Sequence, residues 1–146
     1  MTVSGQVTSF NSDTDAVTIQ LIEEGASEAA YGTEVKGNKA AYTIEGILPG
    51  TYTMKVMKKN HVTREYTVTV GSGAVTQDVK IHLIGDVNGD GKANVKDINM
   101  LYAHFNKVNL LTDYAFMCGD VTADEKINIK DVNKVVGHFN KVAMLW

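Results

Sequence analysis

One cysteine, one proline and one tryptophan stand among the 146 residues of this chain. The lone cysteine, Cys118, excludes an intramolecular disulfide and a thiol metal cluster, and it leaves the redox compartment unread. No apolar run is long enough to span a bilayer. Met1 opens into a strand-like segment rather than a signal peptide, as expected of a piece cut from a larger protein. Basic charge is also scarce. A formal net charge of −3 argues against nucleic acid as a partner, because phosphate binding needs a basic surface. Outside the acidic loops described below, the sequence offers no Ser/His/Asp, Cys/His or paired-carboxylate constellation, so it reads as a binding protein and not an enzyme.

What remains is ordinary globular material, 44% hydrophobic and 21% charged, enough for one mid-sized domain or two small ones. Residues 2–84 read as short strands rich in Val, Thr, Tyr and Ile: 2–10, 17–22, 40–44, 51–57, 65–70 and 75–83. Alternation is strict in several. Tyr52, Met54 and Val56 face one way, and Thr51, Thr53 and Lys55 the other. Turn residues punctuate them at 11–15, 46–50 and 71–73, which implies a small antiparallel sandwich. Tyr42, Tyr52 and Tyr66 could suggest a sugar-binding platform, but alternating strand positions make them core. Lys58-Lys59 reads as a solvated strand end.

Beyond Ile84 the period changes to helical. Ile98, Leu101, Tyr102 and Phe105 share one spacing, and Val132, Val135, Val136 and Phe139 repeat it. A third, short helix is expected from Thr112 or Asp113, burying Tyr114 and Met117, with Cys118 packed behind it. No flexible linker separates residues 1–84 from 85–146, which suggests a rigid pair of domains.

The strongest signal is internal. Residues 85–108 align without gaps to 119–142, and 14 of the 24 paired positions are identical. Each copy opens with a twelve-residue loop. Calcium takes six to eight hard oxygen ligands, and an EF-hand loop supplies them from positions 1, 3, 5, 7, 9 and 12. In the first loop these are Asp86, Asn88, Asp90, the Lys92 carbonyl, Asn94 and Asp97, with Gly91 at the sharp turn of position 6. In the second they are Asp120, Thr122, Asp124, the Lys126 carbonyl, Asn128 and Asp131. Two calcium ions are expected, the second held more weakly: Thr122 offers only a hydroxyl, and Glu125 replaces the glycine at a strain of about 1 kcal/mol. Position 12 is Asp in both, and no helix is expected to lead into either loop. A sensor moves two helices around each loop, so calcium here reads as a structural clasp.

Two loop–helix repeats with Asp at position 12, joined by a short helix, resemble a dockerin, the module that plugs cellulosome components into cohesins. The resemblance covers residues 85 to about 145. It implies a cohesin partner and an extracellular setting, in the cellulosome or at a bacterial surface. It also implies that positions 10, 11, 18, 19 and 22 face that partner. Here they are Val95, Lys96, Ala103, His104 and Lys107, and in the second repeat Ile129, Lys130, Gly137, His138 and Lys141. Thr122, Ala123 and Glu125 depart from the pattern.

Residues 2–7 (TVSGQV) and 42–56 (YTIEGILPGTYTMKV) are similar to the seven-stranded carboxypeptidase-regulatory-like sandwich that forms the X-module before some dockerins, notably type II ones. That similarity makes Tyr42, Ile44 and Leu48 core and Pro49-Gly50 a turn. The fold class expected is a seven-stranded Ig-like or prealbumin-like sandwich over 1–84, then a small all-α dockerin over 85–146. The competing class is a calcium-stabilised carbohydrate-binding protein that uses the sandwich.

Overall fold

The computed structural model describes residues 1–10 and 15–146. Most of the turn expected at 11–15 lies outside the described residues. The chain divides into two compact units, one of residues 1–59 and 63–81, the other of 60–62 and 82–146.

The first unit holds eight strand segments, β1 (Val3–Ser9), β2 (Ala16–Glu23), β3 (Ala29–Lys36), β4 (Ala40–Ile44), β5 (Gly50–Lys58), β6 (Arg64–Val70), β7 (Val75–Thr76) and β8 (Val79–Ile81). They form two sheets. One is ordered β3-β2-β5-β6, antiparallel throughout; in the other, β1 pairs antiparallel with β4 and parallel with both β7 and β8. The period-2 alternation sets the core. Val17, Ile19 and Leu21 of β2 and Tyr52, Met54 and Val56 of β5 are buried together with Val3 and Val7 of β1. Tyr42 is buried too, its hydroxyl donating to the Gln77 carbonyl at 2.5 Å. Tyr66 is only partly buried.

Three details differ from the reading above. The segment at 29–36 is a full strand, β3, at the edge of its sheet. The core residue of the 46–50 turn is Ile47, while Leu48 is 64% exposed. Gly46 takes a positive φ of 75°, which breaks the strand alternation and moves the inward position back by one residue. Lys58 is buried instead of solvated; its ammonium donates to the Ser9 hydroxyl at 2.9 Å.

The second unit holds three helices, α1 (Val95–Phe105), α2 (Asp113–Gly119) and α3 (Ile129–Phe139). The repeat is visible in its core: Val87 and Val121, Ala93 and Ile127, Ile98 and Val132, Leu101 and Val135, and Leu111 and Leu145 are matched positions, all buried or packed against that core. Residues 60–62 join it. The Val62 amide donates to the His82 carbonyl and the Ile84 amide to Asn60, while the Tyr114 hydroxyl donates to the Val62 carbonyl at 2.7 Å. Two expectations fail here. Met117 is 52% exposed, and it is Cys118 that turns inward. Also, α2 leads directly into Asp120, so the second loop does have an incoming helix, whereas the first follows β8.

Candidate calcium loops and docking face

Each loop is built around its first carboxylate. Asp86 accepts the Gly89 and Asp90 amides at 2.8 and 3.1 Å through one oxygen and the Gly91 amide at 2.9 Å through the other. Asp120 does the same with the Asp124 and Glu125 amides, at 3.1 and 2.8 Å. Position 6 has positive φ in both loops, 90° at Gly91 and 63° at Glu125, so the second loop makes the same turn with a strained residue. Replacing Glu125 with Gly removes about 1 kcal/mol of that strain. Glu125→Gly is therefore expected to tighten the second calcium site severalfold in a calcium titration. An unchanged or weaker site would contradict this.

Position 4 differs for a separate reason. In the first loop it is Gly89 at φ 72°, and a Cβ there would overlap the buried His82 ring at Nε2. That ring lies 5.0 Å from Tyr114 and has Nδ1 3.7 Å from the Cys118 sulfur, so it has little freedom to yield. The matched residue in the second loop is Ala123, exposed and at φ 55°. Gly89→Ala is expected to cost about 1–3 kcal/mol through overpacking, read as a lower Tm of the calcium-loaded chain. An unaltered Tm would show that His82 does not set this position.

Positions 9 and 12 serve the helix as well as the loop. Asn94 is the N-cap of α1: its side chain accepts the Lys96 amide, and the Asp97 carboxylate accepts the Asn94 amide at 2.8 Å, a reciprocal capping box. Asn128 and Asp131 repeat it at α3. The second oxygen pattern is matched too: Asp97 accepts the Val87 and Asn88 amides, and Asp131 accepts both the amide and the hydroxyl of Thr122, at 3.0 and 2.9 Å. The residues at position 12 thus fix the helix start and aim a carboxylate into the loop, a task suited to the short Asp side chain.

Among the described residues, Asp120, Asp124 and Asp131 bring ligand oxygens within 4.8 Å of one another. In the first loop Asp90 turns one oxygen to the Asn88 amide at 3.3 Å and the Lys96 ammonium at 3.6 Å. The donor set fits a hard divalent cation, being carboxylates, a side-chain amide or hydroxyl, and a carbonyl. Burial makes the same point. Asp86, Asp97 and Asp131 are fully buried. Burial pushes the Asp86 carboxyl up to about 6, with the Asp97 charge adding to the rise while amides such as that of Gly91 oppose it. Burial likewise raises Asp97, against the pull of the Asn94, Asn88 and Val87 amides. A carboxyl whose folded pKa exceeds its unfolded one costs the fold stability as pH rises above the unfolded value. A bound cation reverses that cost by favouring the ionised form.

The residues expected to face a partner separate into two groups. Val95, Lys96, Ile129 and Lys130 are exposed on the first turns of α1 and α3. Lys107 and Lys141 are exposed just past the C-caps Asn106 and Asn140, at φ 59° and 57°. Ala103, His104, Gly137 and His138 are half-buried. Both histidines turn Nδ1 toward the chain, accepting the Leu111 amide at 2.8 Å and the Leu145 amide at 3.2 Å. Sequence reasoning missed a set of exposed apolar side chains at matched positions: Phe105 and Phe139 (45% and 49%), Val108 and Val142 (80% and 82%), Leu110 and Met144. The signal was present, since all six keep the repeat offset and fall at or beyond the helix ends, where a helical stripe no longer points inward.

A β-sandwich followed by paired, oxygen-rich loop–helix repeats defines a class of non-catalytic binding module. Residues 1–89, more than half the chain, match the family model of the BOS complex subunit NOMO1-like second beta sandwich domain, and residues 84–140 match that of the type I dockerin domain. The chain belongs to the first family through its sandwich and carries a dockerin domain behind it. No curated protein matches it. Two similar solved structures are type II cohesin–X-dockerin complexes from Acetivibrio cellulolyticus. One, a C-terminal interface mutant, is 21% identical, with 95% of each chain covered and a TM-score of 0.47. The other, an N-terminal interface mutant, is 23% identical, with 100% of this chain and 99% of that one covered and a TM-score of 0.46. The matching dockerin model is of type I, where the sequence reading leaned to type II. Among the described residues, no helix is long and apolar enough to cross a membrane.

Proposed function

We propose that this chain is an X-module–dockerin pair that docks onto a cohesin in a calcium-dependent way, and so assembles a cellulosome or ties it to a cell surface. The division is 1–84 for the X-module, a seven-stranded sandwich if β7 and β8 count as one interrupted strand, and 85–146 for the dockerin. The observation that carries the reading is the duplicated loop–helix unit, in which matched carboxylates, capping boxes and exposed apolar residues recur at one offset within a dockerin-family segment. Each loop takes one calcium ion through Asp86, Asn88, Asp90, the Lys92 carbonyl, Asn94 and Asp97, and through Asp120, Thr122, Asp124, the Lys126 carbonyl, Asn128 and Asp131. When bound, the ion neutralises the gathered carboxylates. The protein then holds α1 and α3 by their capping boxes, with Val95, Lys96, Lys107 and their counterparts turned outward. The setting is extracellular.

A cohesin panel immobilised and probed with the chain, with calcium and with chelator, tests this. Capture by at least one cohesin in calcium and release in chelator is expected. Capture by polysaccharide with no cohesin recognised would contradict it and favour the carbohydrate-binding class; burial of Tyr42 and Tyr52 in the sandwich core argues against that class.

A further inference from the structure

The two repeats end alike. After each helix comes an asparagine C-cap, then a lysine at positive φ. The next two amides return to one carbonyl inside the helix, those of Val108 and Asn109 to Ala103, and those of Val142 and Ala143 to Gly137. Three residues beyond that lysine's valine neighbour, a leucine amide reaches the imidazole Nδ1, Leu111 to His104 and Leu145 to His138. Leu111 is buried in the helical core and Leu145 packs against it, where a Cβ on Gly85 would come within 2.7 Å of Leu145. The rings are seated as well, His104 at 5.7 Å edge-on to Phe116 and His138 at 4.2 Å from Trp146.

An imidazole nitrogen that accepts an amide hydrogen carries no proton of its own. We infer that His104 and His138 are proton-sensitive positioning residues: the neutral rings pin the turns 106–111 and 140–145, and protonation of Nδ1 turns an acceptor into a donor and releases them. Burial lowers the pKa of His138 from its ordinary value, which agrees with a ring held neutral. The sign is definite. The released turn binds the proton more readily than the closed one, so closure is lost as pH falls. Around His104, α1 and the residues after it carry Lys96, Asp97, Tyr102 and Lys107, and α2 carries Asp113, Tyr114 and Cys118; around His138, α3 and the residues after it carry Lys130, Asp131, Lys134 and Lys141, and the side chains of residues 142–146 add none. Burial opposes protonation of His138, so its turn opens at a lower pH than an ordinary histidine would titrate. The released turns carry Val108, Leu110, Val142 and Met144, exposed apolar side chains flanking the docking face proposed above. The clasp itself stands on geometry independent of that proposal, and its test uses no partner.

The test uses the full chain, isotopically labelled and saturated with calcium. Imidazole nitrogen spectra at about pH 7.5 are expected to show both rings protonated at Nε2 only. Hydrogen-exchange protection of the Leu111 and Leu145 amides, normalised to intrinsic rates, is expected to drop about tenfold between roughly pH 7.5 and pH 5.5. Protection of the Gly91 and Glu125 amides stays constant, which reports intact loops. In the His104→Asn/His138→Asn variant, the amide oxygen takes the place of Nδ1 and does not titrate, so protection persists at both pH values. The corresponding Gln variant puts no acceptor there and loses protection at both. Rings protonated at Nδ1 at the higher pH, wild-type protection that ignores pH, or an Asn variant that still titrates would each overturn the inference; the first two need no variant to fold.

Discussion

Stripping calcium with a chelator is expected to melt the helical unit and abolish docking while the sandwich stays folded. The two units have separate cores. The sandwich is sealed by buried residues from Val3 to Ile81, all belonging to its own unit. The helical unit, under about 70 residues long, is marginal on its own. It also contains three fully buried carboxylates, Asp86, Asp97 and Asp131. Without a cation, burial holds the carboxyls of Asp86 and Asp97 above their ordinary values, so ionising them costs the fold stability. A ligand at a hundred times its Kd contributes about 2.7 kcal/mol per site, and two sites together rival the stability of so small a unit. Trp146, the chain's one tryptophan, packs against the helical core and reports on this unit alone. Its fluorescence and the helical circular dichroism should collapse together on chelation, with strand signal retained. An unchanged helix signal, with binding intact, would sink the idea.

The second large effect is a loss of binding that appears only when both repeats are altered. Residues 85–146 carry seven basic and eight acidic side chains. One calcium ion per loop, as proposed, would turn that formal deficit into an excess of positive charge, and Lys96, Lys107, Lys130 and Lys141 are exposed beside it. Val95 matches Ile129 and Phe105 matches Phe139, so the repeats expose similar residues, and a grip by either one is expected. Lys96/His104/Lys107→Ala and Lys130/His138/Lys141→Ala are each expected to keep near-native affinity, and their combination to lose it. Elimination of binding by one triple variant alone would mean a single-sided grip, to which Met100 against Lys134 and Tyr102 against Val136 could contribute. Because each triple variant also removes a histidine clasp, Lys96/Lys107→Ala and Lys130/Lys141→Ala serve as controls that leave His104 and His138 in place.

The repeat was the most legible part of the chain, because ligand spacing, capping and core positions all recur at one offset and reinforce one another. Strand alternation served almost as well, placing Tyr52, Met54 and Val56 inward as found. It failed where backbone geometry breaks the period. Gly46 shifts the inward residue from Leu48 to Ile47, and β3 is an edge strand whose Ala29, Ala30 and Gly32 weaken the pattern of Tyr31, Thr33 and Val35. Helical spacing failed at helix ends in the same way, for Met117, Phe105 and Phe139. Membership of residues 60–62 in the helical unit had no local signature, since it rests on hydrogen bonds to residues twenty or more positions away. The histidine clasps were hidden for a related reason: a half-buried ring and an exposed one look the same in sequence until the turn seven residues on is placed.

Calorimetric titration of the intact chain against a recognised cohesin separates a calcium-clasped docking module from any other in three conditions: calcium, chelator, and calcium restored in excess. Expected are a saturable isotherm in calcium, no heat of binding in chelator, and full recovery when calcium returns. An isotherm of equal affinity in chelator would contradict calcium-dependent docking.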